Sequence, residues 1–123
     1  MRPTTAAVAI AFGLAACGHD PSTPAQPPDV WSPDRSKFAS TFSIGDAIAG
    51  NTQVMVTFGD RGGGGVFAID RLGVPIRLRW KDNATLVIAY PDRLTPSKQA
   101  SRTRIHEDVV TVEYETYAGW QPG

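Results

Sequence analysis

Ile76-Arg77-Leu78-Arg79-Trp80-Lys81 alternates apolar and basic side chains without a break, and no other stretch restricts the fold so tightly. Successive side chains of a strand point to opposite faces, so Ile76, Leu78 and Trp80 share a buried face while Arg77, Arg79 and Lys81 stand in water. Pro75 stands at the start of this strand, where a missing N–H is tolerated. The period recurs along the chain. Phe38, Ser40, Phe42 and Ile44 share one face of a first strand opposite Ala39, Thr41 and Ser43, and Val54, Val56 and Phe58 repeat the spacing in a second. Val66 to Asp70 forms a third strand, Thr85 to Tyr90 follows the Lys81-Asp82-Asn83 turn as a hairpin partner, and Val109 to Tyr117 sets Val110, Val112 and Tyr114 against Thr111, Glu113 and Glu115. No window carries a sustained i, i+3, i+4, i+7 apolar stripe, so helix content is low.

These strands predict an all-β fold, a small antiparallel sandwich or partial barrel of five to six strands, curled because a flat sheet leaves one apolar face wet. Gly59 to Gly65 reads as a hairpin loop, and the polar Asp92 to Thr103 as a long loop. If the last strand lies beside the fourth, Arg77 and Arg79 face Glu113 and Glu115 across the solvated side, each pair worth ~0.2–1 kcal/mol.

The chain opens differently. Met1 and Arg2 form a short basic start, Ala6 to Ala16 an apolar run, and Leu14-Ala15-Ala16 precede Cys17, the one cysteine among 123 residues. That is the layout of a secretory signal. Eleven apolar residues fall short of the roughly 20 that span a bilayer, so anchoring through Cys17 is favoured over spanning. Gly18 to Asp29 holds four prolines and no large apolar side chain and is read as a tether, reaching ~35 Å at ~3.1 Å per residue in polyproline geometry. The expected organisation is 1-16 signal peptide, 17-29 modified cysteine and tether, 30-119 β domain, and 120-123 tail. With no cysteine beyond Cys17 the domain has no disulfide, and its core must hold alone.

The Leu14-Ala15-Ala16-Cys17 ending resembles the lipobox of bacterial lipoproteins, which implies cleavage before Cys17 and a diacylglycerol on its sulfur. The likeness covers the first 17 residues. Gly18 rather than aspartate after the cysteine resembles sorting to the outer membrane, implying attachment at its periplasmic face. Trp31-Ser32-Pro33-Asp34 resembles the Ser-Pro-Asp-Gly start of a β-propeller blade in periplasmic propeller proteins, with Arg35 in place of the glycine. One copy does not supply the roughly 4–8 blades of a propeller, so no propeller function carries over. The order from this start through Ile76–Trp80 to Leu86–Tyr90 is also similar to small uncharacterised bacterial lipoproteins.

Charge excludes one class of partner. The chain balances 12 Lys and Arg against 12 Asp and Glu, and loss of Arg2 with the signal leaves 11 against 12. Nothing here marks a nucleic-acid binder. Residues 71–104 are basic and 105–123 acidic, which gives the candidate binding set Arg77, Arg79, Lys81, Arg102 and Arg104, suited to an anionic headgroup or simply to a solvated sheet face.

Candidate chemistry is sparse. Gly59-Asp60-Arg61-Gly62-Gly63-Gly64-Gly65 lacks the Lys-Ser/Thr and the helix of a phosphate loop. His106 can be drawn as a base or metal ligand with Asp108, whereas Glu107 points to the opposite face, and His19 lies in the tether. Asp29, Asp34, Asp46 and Asp60 are candidates for an acid and base pair, although carboxylates at turns ordinarily cap backbone. No Gly-x-Ser-x-Gly occurs. The aromatics Trp31, Trp80, Tyr90, Tyr114, Tyr117 and Trp120 are candidates to line a glycan or peptide groove, but most are expected in the core, with Trp80 and Tyr90 on inward faces and Trp31 and Trp120 as edge covers at the domain ends. The sequence points to no cofactor, no metal and no catalytic residue. The leading expectation is a lipid-anchored, non-catalytic envelope module that binds an envelope protein or glycan. The alternatives are a hydrolase or metal-binding protein centred on His106, and an inhibitor or immunity-type protein acting through an exposed loop.

Overall fold

The computed structural model describes residues 27–122, so the expected signal, Cys17, His19 and most of the tether lie outside the described residues. Nine strands follow in chain order: β1 (Val30–Trp31), β2 (Phe38–Ile44), β3 (Asn51–Thr57), β4 (Gly63–Ile69), β5 (Arg77–Asp82), β6 (Thr85–Pro91), β7 (Lys98–Gln99), β8 (Arg102–Ile105) and β9 (Asp108–Tyr117). They form two sheets, β1-β2-β3-β4-β7 and β5-β6-β9-β8. The fold is an all-β sandwich with its core between them. Every pairing is antiparallel except β6 with β9, which is parallel with Leu86 opposite Val112 and Ile88 opposite Tyr114.

Alternation decides what the core contains. Val54 and Val56 of β3, Leu86 and Ile88 of β6, and Val110 and Val112 of β9 point inward and are buried, joined by Phe58, Val66, Phe67, Ile69 and Val74. Burying each such side chain stabilises the fold by about 1.5–3 kcal/mol. Ile76, Leu78 and Trp80 pack against this cluster on the expected face, and the Trp80 Nε1–H donates to the Val30 carbonyl across the sandwich at 2.8 Å. On β2 the inward residues are the small Ala39 and Thr41, while Phe38 and Phe42 lie half-buried on the outer face and the Phe38 ring packs tilted against Trp31 with centroids 4.7 Å apart.

The structure corrects four expectations from the sequence. There are nine strands rather than five or six, because β1, β7 and β8 are too short to show a period. Gly63, Gly64 and Gly65 belong to β4, and only residues 58–62 turn, with the Phe58 amide donating to the Gly62 carbonyl at 2.8 Å. A Cβ on Gly63 would come within 2.0 Å of the Val56 carbonyl oxygen, so this glycine permits strand contact rather than loop mobility. Asp92 to Thr103 is not one long loop: Lys98–Gln99 pairs with β4 in one sheet and Arg102–Ile105 with β9 in the other. This strand pair closes one side of the sandwich. Finally, β9 lies beside β6 and β8, not beside β5.

The closed side depends on Tyr114. Val66 sits at a bulge between the Val54–Phe67 and Met55–Gly65 pairs, so its backbone leaves the β3 ladder. The Val66 carbonyl accepts instead from the Ala100 amide at 2.8 Å and the Tyr114 hydroxyl at 3.1 Å, and the same hydroxyl lies 2.7 Å from the Ala100 carbonyl. Burial pushes the Tyr114 hydroxyl up to about 12.

Strand direction sorts the connections into two ends. Residues 32–37, 58–62, 83–84 and 106–107 lie at one end, where the Asp34 amide donates to Asn83 Oδ1 at 2.8 Å and Arg61 pairs with Asp108. Residues 45–50, 70–76, 92–97 and 118–122 lie at the other, where the Arg71 guanidinium stands 5.3 Å from the Trp120 ring and the Tyr117 hydroxyl donates to the Pro75 carbonyl. β1 pairs with the first two residues of β2, Val30 opposite Ala39, and runs antiparallel to it, so the chain that precedes Val30 heads toward this second end.

Candidate functional site

The candidate basic residues share one sheet face but do not form one patch. β5 projects Arg77, Arg79 and Lys81 outward at one edge of the four-stranded sheet, and β8 projects Arg102 and Arg104 at the opposite edge. Between them run Val87 and Ala89 of β6 and the acidic column Glu113 and Glu115 of β9. Arg79 reaches Glu115 at 3.0 Å and Lys81 reaches Glu113 at 3.2 Å, both spanning β6. Their aliphatic stems cover that strand, and Val87 and Ala89 on its outer face are buried, 4% and 7% exposed. The expected facing of Arg77 and Arg79 with Glu113 and Glu115 on adjacent strands does not occur: Arg79 meets Glu115 across β6, and Lys81 rather than Arg77 meets Glu113. Such exposed pairs are each worth about 0–1 kcal/mol.

Arg77 is held differently. Its guanidinium lies 3.8 Å from the centre of the Tyr117 ring, and among the described residues no carboxylate stands within 4 Å of it. Burial raises the Tyr117 hydroxyl above its usual value, against the lowering effect of Arg77. Arg77, Arg79, Ala89, Glu115 and Tyr117 border a cleft of about 210 Å³. In it the Arg77 guanidinium covers one face of the Tyr117 ring, and the Arg79 guanidinium is paired with Glu115.

The end that carries Asp34 is dense in charge. Asp34 Oδ1 accepts from Ser36 Oγ at 2.7 Å, Ser32 Oγ at 2.8 Å and the Ser36 amide at 3.1 Å, and the Ser36 bonds lead in holding its carboxyl down at about 2. Arg35 has φ 59, the left-handed conformation that favours glycine, at the position where the propeller-like pattern has glycine. Its guanidinium lies over Trp31 at 4.9 Å, and the Nζ of the buried Lys37 donates to Ser36 Oγ at 2.9 Å and lies 6.0 Å from the Trp80 ring centre. Asp82 is held below its ordinary value chiefly by the Ala84 amide. His106 occupies the first position of the two-residue β8–β9 connection with φ 53, exposed, while Asp108 is engaged by Arg61. The structure does not bring His106 and Asp108 together in a hydrogen bond, and among the described residues no three His, Cys, Asp or Glu side chains group as metal ligands. Asp34 and Asp46, two of the proposed acid and base partners, sit at opposite ends.

The second end differs in kind, and sequence reasoning passes over it. Asp46 Oδ1 accepts from the amides of Ile48 and Ala49, each at 2.9 Å, and those bonds lower its carboxyl. The same turn leaves Ile48 96% exposed, beside Ile44 at 51% and Leu72 at 36%. Polar contacts hold the adjoining 71–74 segment: Thr52 Oγ1, buried, donates to the Arg71 carbonyl at 2.7 Å and accepts from the Val74 amide at 3.1 Å, and Ser43 Oγ accepts from the Gly73 amide at 3.2 Å. A Cβ on Gly50 would lie 2.4 Å from both the Asp46 carbonyl oxygen and Leu72 Cγ, so glycine lets Leu72 pack on the hairpin. A cleft of about 420 Å³ opens between Asp46, Ile48, Gly50, Asp70, Arg71 and Leu72. The available signal is an isoleucine placed inside the glycine-bounded turn Gly45-Asp46-Ala47-Ile48-Ala49-Gly50, where polar residues are the norm.

Comparison with protein-family models, with curated proteins and with solved structures finds no match.

Proposed function

We propose that this chain is a lipid-anchored protein of the bacterial cell envelope, held through Cys17 at the periplasmic face of the outer membrane, and that its β sandwich is a non-catalytic binding or interaction module. The observation that carries the reading is Leu14-Ala15-Ala16-Cys17, followed by a proline-rich segment that runs up to the first strand. The side chains a catalyst would use support it. Asp34, Asp46 and Asp82 brace turns, Asp108, Glu113 and Glu115 face cations, and His106 occupies a hairpin connection. The Arg77–Tyr117 cleft is the surface offered to an envelope protein or glycan.

Intact-mass measurement of the native product tests the anchor. The expected product begins at Cys17 and carries a thioether-linked diacylglycerol with further acylation, whereas an intact amino terminus with a free thiol overturns the reading. Crosslinking in intact cells tests the module. A stoichiometric partner lost on Arg77→Ala supports it, and an enzymatic activity abolished by His106→Ala would replace it with the hydrolase reading.

A further inference from the structure

We infer that the end of the sandwich bearing Ile44, Ile48 and Leu72 is a lipid-contacting surface that rests in the interface of the bilayer to which the chain is tethered. The inference builds on the anchored reading above. Three observations carry it. First, Ile48 is 96% exposed on a turn fixed by the Asp46 carboxylate through the Ile48 and Ala49 amides, beside the 71–74 segment that the Thr52 and Ser43 hydroxyls hold, so its exposure is built in rather than a product of fraying. A large aliphatic side chain held this way gives the fold nothing and finds its favourable surroundings outside the protein. Second, β1 runs antiparallel to β2, so the chain that precedes Val30 heads along the sheet toward this end, and Cys17 precedes Pro27 by ten residues. Fully extended, ten residues span at most about 36 Å, so a bilayer holding the Cys17 lipid lies within reach of this end at high effective concentration. Third, Trp120 stands at this end beside Arg71, and amphipathic aromatics of this kind settle at the headgroup level.

Charge and area separate this occupant from others. The loops of this end hold Asp46, Asp70 and Asp92 against Arg71 and Arg93, so no basic excess draws it to anionic headgroups and its contact is apolar. Three aliphatic side chains on a projecting tip also fall well short of the roughly 800 Å² per partner of a stable protein interface, whereas a lipid surface accepts a small apolar insertion as a second anchoring signal beside the acyl chains.

The test uses the native acylated chain, in which the lipid blocks Cys17, carrying Ala49→Cys or Asp60→Cys labelled with an environment-sensitive fluorophore. The chain is reconstituted in vesicles of phosphatidylethanolamine and phosphatidylcholine containing a brominated-acyl lipid. The label at position 49 is expected to shift to the blue and to be quenched about fivefold more than the label at position 60. Adding Ile48→Asp, a change at an exposed position that leaves the fold intact, returns it to the value in water. On the same chain without acylation, Ile48→Asp lowers vesicle partition about tenfold or more. Equal emission from the two labels, indifference to Ile48→Asp, or a blue shift that grows with protein concentration without lipid overturns the inference, the last because a second copy then covers the tip. The two readings fail separately. If the native product carries no lipid the anchor falls, while the position 49 label on that chain mixed with vesicles still reports whether the tip enters the bilayer.

Discussion

Asp34 and Asp46 do the same mechanical job at opposite ends of the sandwich: each carboxylate accepts backbone amides two or three residues ahead and so fixes a turn. What the two turns then present differs completely. The first is followed by Arg35, Ser36 and Lys37 and is bonded to Asn83 of the β5–β6 connection. The second is followed by Ala47, Ile48 and Ala49 and meets Leu72. Turn chemistry thus fixes the backbone and leaves the flanking side chains free to suit what lies outside. One end suits water, and the other suits an apolar neighbour.

The largest expected effect removes what both ends share. Ile88→Ala opens a cavity under both sheets and should cost 2–5 kcal/mol, seen in denaturant melts as one transition that takes the two ends together. A second, later transition would show that the ends are independently supported. Thr52→Val keeps the shape but strands the Arg71 carbonyl and the Val74 amide, so a loss of about 1–3 kcal/mol is expected, with faster amide exchange confined to residues 71–74 and no change around Asp34. Tyr114→Phe should cost about 0.5–1.5 kcal/mol and loosen the β7–β8 closure, read as faster exchange at Ala100, with both ends unaffected.

Acid acts on both turns. The folded carboxyls of Asp34, Asp46 and Asp82 lie below their ordinary value of 3.8, so the unfolded chain takes up protons first. Their stabilisation is complete above that value and is lost as pH falls through the folded values, with Asp34 the last to protonate at about 2. Thermal melts between pH 5 and 2 should show a decline that Asp34→Asn makes shallower at its acid extreme. Arg79→Ala should have the smallest effect, under about 1 kcal/mol and reduced by salt. Any larger loss measured in a melt would mean that its stem, by covering Val87 and Ala89, matters more than its charge.

Faces and strands with a clean period were legible in the sequence. The alternation of Ile76 to Lys81 and of Val110 to Glu115 placed each side chain on the correct face, because one face of each strand is buried and the other solvated. β7 and β8 were hidden, since a chain that changes sheets after two residues has no period to display. The position of β6 between β5 and β9 had a visible signature in the unbroken run Leu86-Val87-Ile88-Ala89, which suits a strand buried on both faces in a parallel pair, although antiparallel pairing was the simpler expectation. The candidate basic set was legible as residues but not as geometry, because the acidic column that divides it comes from a strand whose neighbours are set by the crossing of β7 and β8. Ile48 escaped notice because a turn residue contributes nothing to a periodic pattern.

Hydrogen exchange on the native chain, with and without lipid vesicles, addresses the central contrast most directly. The account predicts that the bilayer slows exchange in residues 45–50 and 71–73 and leaves residues 34–37 and 58–62 unchanged. Protection at the Asp34 end, or equal exchange at both ends, would contradict it.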